Sequence, residues 1–271
     1  MSNFSVTITG ADNGVDPVKL DELGDMYPFV EWAILFSGSK EGQPRYPTVD
    51  WREQFYDVTC DREAAGYHTA AHLCGITATR RLQTMGLFET EIERHFDTVQ
   101  FNLFSPDNYP FVVDYAKRYE ATHQVIVPFN KGTANILTSK DPEYWRTLSV
   151  LCDSSGGRGI ACKEWPSNIP SHFVERQAVG FAGGINEANI EAVLEGLVQL
   201  HEGKFFWIDL ETGARDEKDR FDIDKVARIL ELASQFYDEF DIPGLDEDEF
   251  EEETGAEPYL QVPNLDEIII R

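Results

Sequence analysis

Short runs dominated by apolar residues alternate with longer amphipathic runs along most of this chain. That alternation is the pattern of strand–helix repeats. Strand-like runs cover 5–9, 31–37, 69–74, 98–103, 124–129, 148–153, 178–182 and 206–210. Helical spacing is clearest at 186–200, where Ile190, Val193, Leu194, Leu197 and Val198 recur at threes and fours, and again at 223–237. Repeated strand–helix units demand a parallel sheet covered on both faces. Eight of them within about 235 residues predict an α/β architecture, the (β/α)8 TIM barrel. The first turn after a strand reads Gly10-Ala11-Asp12-Asn13-Gly14. That is not the G-x-G-x-x-G of a dinucleotide-binding sheet, so the open, doubly wound alternative recedes.

The pattern breaks after Phe236. Residues 238–257 hold eleven acids and no Lys or Arg, interrupted by Pro243-Gly244 and Thr254-Gly255. Self-repulsion and the two breakers predict an extended segment there. The expected organisation is a barrel over 1–237 and an acidic C-terminal extension over 238–271. The extension ends in an apolar stretch, 259–270, fit to dock on the barrel or on a second subunit.

Charge narrows the partners. The chain carries 49 acidic against 23 basic residues, a formal charge of −26. Such a surface repels phosphate backbones and anionic lipid, which argues against nucleic acid and membrane. No apolar run is long enough to span a bilayer, and the opening residues lack a basic and apolar leader. A soluble, cytoplasmic protein is expected, with a homodimer as a possible state. The cysteines, Cys60, Cys74, Cys152 and Cys162, follow no disulfide or zinc spacing, and Cys152 reads as a buried apolar side chain.

In a parallel barrel the chemistry belongs at the carboxyl ends of the strands. Those positions are polar: Thr9, His72 with Cys74, Gln100 with Asn102, Asp153, Gly183-Gly184, and Asp209 with Glu211. Residues two apart on a strand point the same way, so these pairs project together. Two glycine clusters, Gly156-Gly157 and Gly183-Gly184, end neighbouring strands and let backbone N–H groups approach an anion. A helix opening just after Gly184 would add its positive end. An oxygen-rich set of Asp153, Asp209, Glu211 and His72 also fits a divalent metal. Acid–base work explains the same residues, so neither a metal nor a cofactor is expected. His68, His95 and His123 read as structural, and Trp32, Trp51 and Trp207 as packing.

Taken in order, these segments resemble phosphoribosylanthranilate isomerase over about Val6 to Leu232. Val6-Thr7-Ile8-Thr9-Gly10 is similar to that family's first strand, Lys-Ile-Cys-Gly. Ile34-Leu35-Phe36 followed by Pro44-Arg45-Tyr46-Pro47 resembles its second strand and Ser-Pro-Arg-Tyr. Val99-Gln100-Phe101-Asn102 is similar to Val-Gln-Leu-His. Leu151-Cys152-Asp153 followed by Gly156-Gly157-Arg158-Gly159 resembles Leu-Leu-Asp with Gly-Gly-Thr-Gly. The run from Phe181 to Asn189 resembles Leu-Ala-Gly-Gly-Leu-x-x-x-Asn. Asp209-Leu210-Glu211-Thr212-Gly213-Ala214-Arg215, with Asp222 and Lys225 beyond, resembles Asp-Val-Ser-Ser-Gly-Val-Glu leading into Lys-Asp.

The resemblance implies an Amadori rearrangement, in which an acid opens an aminoaldose ring and a base moves a proton off C2. It assigns the acid to Asp153 and the arginine that clamps a substrate carboxylate to Arg45. The base, a cysteine in the family, falls on Thr9. A threonine hydroxyl is too weak an acid for that work, whereas a thiolate suits it, which brings Cys74 on the third strand forward as a substitute. Glu211 and Thr212 replace two serines of the eighth-strand motif, and a carboxylate there repels phosphate. The resulting expectation is an isomerase of a small anionic, sugar-derived substrate. Asp153, Thr9 and Cys74 are its catalytic candidates. Arg45, Gln100, Asn102, Gly156, Gly157, Gly183, Gly184, Asp209, Glu211, Thr212 and Gly213 are its substrate-binding candidates. The second reading is a barrel without catalysis that holds a nucleotide or sugar phosphate as a sensor, sponge or scaffold.

Overall fold

The second strand, β2 (Val30–Phe36), is buried at all seven positions. Only a sheet covered on both faces accommodates such a run. In the computed structural model, which describes residues 4–60, 66–85, 89–153, 165–166, 168–201 and 203–237, seven further strands join it. They are β1 (Phe4–Thr9), β3 (His68–Leu73), β4 (Thr98–Phe101), β5 (Gln124–Phe129), β6 (Leu148–Asp153), β7 (Val179–Ala182) and β8 (Phe206–Leu210). All pair in parallel in chain order, and β8 returns to β1, so the sheet is a closed barrel. The (β/α)8 fold read from the alternation is the fold observed. The acidic extension expected over 238–271, and the Gly156-Gly157 turn, lie outside the described residues.

Nine α-helices among the described residues follow the strands. The last, Ile223–Ser234, starts where the Asp222 carboxylate accepts a hydrogen bond from the Lys225 backbone N–H, which satisfies a donor the helix leaves open. It buries Val226, Ile229, Leu230 and Ala233, one stripe at helical spacing. The helix Ile190–His201 does likewise with Ile190, Leu194 and Leu197. Its start corrects one expectation, since it opens six residues beyond Gly184. The intervening turn is held by side-chain amides: Asn189 Oδ1 accepts from Asn186 N–H, and both Asn186 and Asn189 donate to the Gly184 carbonyl. No helix among the described residues is long and apolar enough to cross a membrane.

Alternate residues point into the barrel, and the register identifies them. Leu35, His72, Gln100 and Ile126 stand side by side across four strands. One half of the interior is apolar, with Ile126, Leu151, Ala182 and Trp207 in contact. A Cβ on Gly180 would stand 2.0 Å from the Trp207 ring, so that glycine is the space the indole occupies. Gly180→Ala is expected to destabilise the barrel by about 2 kcal/mol through overpacking, read as a lower urea midpoint with unchanged slope.

The other half is polar. Glu31 is buried, and its two carboxylate oxygens accept from the Thr7 and Thr98 hydroxyls at 2.8 and 2.6 Å. Burial raises its pKa, and the two hydroxyls act in the opposite direction. A polar interior of this kind leads straight to the strand ends above it.

Candidate active site

At the carboxyl ends of the strands lies a cavity of about 820 Å3. Its wall draws on six strands and the segments after them. His72 comes from β3, Gln100 and Asn102 from β4 and its exit, and Pro128 and Asn130 from β5 and its exit. Leu151 and Asp153 come from β6, Ala182 to Glu187 from β7 and its loop, and Asp209 to Gly213 from β8 and its loop. Gly183 and Gly184 take φ of 113° and 66°, a region that other residues enter only with strain. A Cβ on Gly213 would stand 2.0 Å from the Ile185 carbonyl oxygen, so the seventh and eighth loops meet there without side chains between them. Of the substrate-binding residues expected from the sequence, Gln100, Asn102, Gly183, Gly184, Asp209, Glu211, Thr212 and Gly213 all line this one cavity, as does Asp153.

Three expected site residues stand elsewhere. Thr9 is buried, and its hydroxyl donates to Asp209 Oδ1 at 2.8 Å. It is a partner of Asp209 and does not line the cavity. Cys74 is also off the wall. Burial, reinforced by the Glu211 carboxylate, pushes its thiol up to about 12, so it remains a thiol at neutral pH and cannot supply the thiolate asked of it. Arg45 is held by acids of this chain: Nη1 donates to Glu211 at 2.5 Å and Nη2 to Asp219 at 2.6 Å. Its backbone φ is 75°, and its N–H donates to Asp12 Oδ2 at 2.7 Å. A guanidinium anchored in this way latches the second loop to the eighth, which replaces the expected carboxylate clamp.

A latch of this size was not legible beforehand. Arg215, fully enclosed, donates to the Gly10 carbonyl, to Asp12 Oδ2 at 2.9 Å and to Asp219 Oδ1 at 2.9 Å. Asp12 and Asp219 therefore each serve both Arg45 and Arg215, and Lys225 Nζ donates to the Arg215 carbonyl. The network ties the loops after β1, β2 and β8 together beside the cavity.

Asp209 is the most perturbed acid of the wall. Burial raises its pKa to about 7, and the Glu211 and Asp153 carboxylates push in the same direction, while the Thr9 hydroxyl and the Gln100 amide oppose them. At neutral pH it is divided between acid and carboxylate, the condition a proton carrier requires. Replacing Thr9 by the isosteric Val removes the nearest donor to the charged form. Thr9→Val is expected to raise the Asp209 pKa further, by roughly one unit for one lost hydrogen bond to a charged group, as a carbon-13 titration of the carboxyl would show. His72, buried in β3, is pushed down to about 4 by burial, against the raising influence of Glu31 and Glu211, and is a neutral imidazole at pH 7. Gln100 Nε2 faces its Nδ1 at 3.5 Å. With Nδ1 as acceptor the proton belongs on Nε2.

The described wall is acid-rich. Asp153, Glu187, Asp209, Glu211, Asp216, Glu217 and Asp222 face three bases, Arg215, Lys225 and Arg228. All three bases already hold partners, Arg228 through Glu187 at 2.8 Å. Among the described residues no group of three or more His, Cys, Asp or Glu side chains is arranged to hold a metal.

Fold and site together define a (β/α)8 barrel with titratable side chains converging at the carboxyl ends of its strands. No protein-family model and no curated protein matches the sequence. Among solved structures, the chain is similar to phosphoribosyl anthranilate isomerase from Thermus thermophilus. The identity is 16% and the TM-score 0.50, over 86% of this chain and 100% of that one. Mutually generated monomers of the dimeric enzyme from Thermotoga maritima match at 13% identity and a TM-score of 0.51, over 86% of this chain and 99% of theirs. A phosphoribosyl anthranilate isomerase in complex with reduced 1-(o-carboxyphenylamino)-1-deoxyribulose 5-phosphate matches at 13% identity and a TM-score of 0.50, over 87% and 100%. At such identities the shared property is the fold, that of the family named from the sequence motifs.

Proposed function

We propose that this chain is an acid–base isomerase of a small sugar-derived substrate, with Asp209 and Asp153 as its proton-transfer pair. The observation that carries this reading is the Asp209 carboxyl, poised near neutrality in a cavity wall and held by Thr9 where the resemblance calls for a cysteine base. In an aldose–ketose or aminoaldose–aminoketose rearrangement, a base takes the proton from the carbon beside the carbonyl or imine. An acid meanwhile delivers a proton to the oxygen that opens or reforms. Asp209, with a pKa about equal to ambient pH, fills the first role as carboxylate and returns the proton as acid. Asp153 faces the same cavity from β6, two strands away, and takes the second. Gln100 and Asn102, joined by a 2.8 Å hydrogen bond, present a fixed polar edge for substrate hydroxyls.

A panel of aldoses and aminoaldoses, with and without phosphate, incubated with the chain in deuterated water tests this. Conversion with deuterium entering at C1 of the ketose or aminoketose product, abolished in Asp209→Asn, is the expected result. Equal conversion in that variant would refute the assignment, and binding without any conversion would favour the catalytically silent barrel.

A further inference from the structure

The expectation of an anionic substrate meets a wall of the opposite character. The three bases on the described wall are committed to Asp12, Asp219, Glu187 and main-chain carbonyls. Arg45, a guanidinium beside the cavity, is latched to Glu211 and Asp219. A phosphate ester entering this cavity would face Asp209, Glu211 and Glu217, with Arg215 and Arg228 paired to carboxylates and Lys225 held on a main-chain carbonyl. Charges brought close at a protein surface are only partly screened, so each like-charged approach is disfavoured and each opposite one favoured. A second observation points to what else the ligand carries. His72 is 2% exposed and lines the cavity, and its Nε2 is buried without a hydrogen-bond partner. A neutral imidazole N–H seeks an acceptor oxygen, and the hydroxyls or carbonyl of a polyhydroxylated ligand supply one without adding charge to the acid-rich wall.

We propose that the cavity selects an unphosphorylated polyhydroxylated amine, whose ammonium is held by Glu211 and Asp209 and whose oxygens meet His72, Gln100 and Asn102. This rests on the acid–base reading of the same cavity and narrows its substrate to an aminosugar or aminopolyol. It also links binding to pH. Asp209 is faced by Glu211 on its own strand exit, Asp153 from β6, Thr9 from β1 and Gln100 from β4. An ammonium added to that group favours the carboxylate, so binding releases the Asp209 proton and tightens as pH rises.

Three probes that share one carbon chain provide the test: 1-amino-1-deoxysorbitol, sorbitol and sorbitol 6-phosphate, titrated calorimetrically into the full chain at pH 8 and pH 6. At pH 8 the amine is expected to bind at least tenfold more tightly than sorbitol, and the phosphate no more tightly than sorbitol. At pH 6 the advantage of the amine shrinks several-fold. Glu211→Gln, and separately Glu217→Gln, which leaves the Arg45 latch intact, each reduce that advantage. Tighter binding of the phosphate, an amine no better than sorbitol, or an advantage untouched in both variants would overturn the proposal. Because these are binding measurements, an amine bound but never converted leaves this inference standing while removing the acid–base reading. Turnover of a phosphorylated sugar alone does the reverse.

Discussion

Asp209→Asn is expected to lower kcat by at least about a hundredfold, the usual contribution of a positioned acid–base group, while making the barrel more stable at pH 8. Both effects follow from one cause. In the folded chain, burial and the neighbouring carboxylates hold the Asp209 proton up to about pH 7, whereas the unfolded chain releases it near 4. Between those values the folded state binds more protons, so stability falls as pH rises, and the loss is complete above the folded pKa. A shift of this size corresponds to about 4 kcal/mol that the wild type forfeits at pH 8 and the asparagine variant does not. A residue kept for structure would show the opposite stability change. Measurements of kcat and of urea midpoints at pH 5 and pH 8 separate the two roles, with the stability gap between variant and wild type expected to be much wider at the higher pH.

Arg215→Ala is expected to destabilise the chain by about 3 kcal/mol, the lower end for breaking a buried ion pair from one side. The enclosed guanidinium holds Asp12, which is largely buried, together with Asp219 and the Gly10 carbonyl. Without it, Asp12 loses its guanidinium partner and keeps only backbone N–H donors, the Gly10 carbonyl loses its arginine donor, and the tie from the first loop to the eighth is broken. The matched control is Arg146→Ala. That arginine pairs with Glu120 at 2.5 Å but both side chains are 45% exposed, and solvent-screened pairs of that kind contribute under about 1 kcal/mol. Equal midpoints for the two variants would show that the Arg215 network does not hold the site together.

The strands were largely legible in the chain because burial from both sides writes continuous apolar runs. The bounds of β5, β6 and β8 coincide with the runs at 124–129, 148–153 and 206–210. β4 ends at Phe101, two residues before its apolar run does, since Asn108 takes over the Leu103 carbonyl and the Ser105 N–H and turns the chain. The helix expected from Asn186 opens at Ile190 for a related reason, asparagine side chains bonding to the backbone in place of a helical turn. The polar strand ends were legible too, and most of them line the cavity. What the sequence could not convey was pairing between distant residues. Thr9 and Asp209 are 200 positions apart, and Arg45 and Asp219 are 174 apart. An arginine or a threonine at a strand end therefore read as facing a ligand, when each faces an acid of its own chain. The Arg215 network left no sign beyond single charged residues in three separate loops. The interior acid Glu31 is a single polar position in an otherwise apolar strand, and only closure of the sheet brings Thr7 and Thr98 onto it.

A carbon-13 NMR titration of the aspartate carboxyls, with the Asp209 signal assigned by its disappearance in Asp209→Asn, addresses the core of the account. A midpoint near pH 7 for that signal, moving upward in Thr9→Val, is the result expected. A midpoint near 4, the value of an ordinary solvated aspartate, would show that no proton carrier is poised at the end of β8 and would contradict the account.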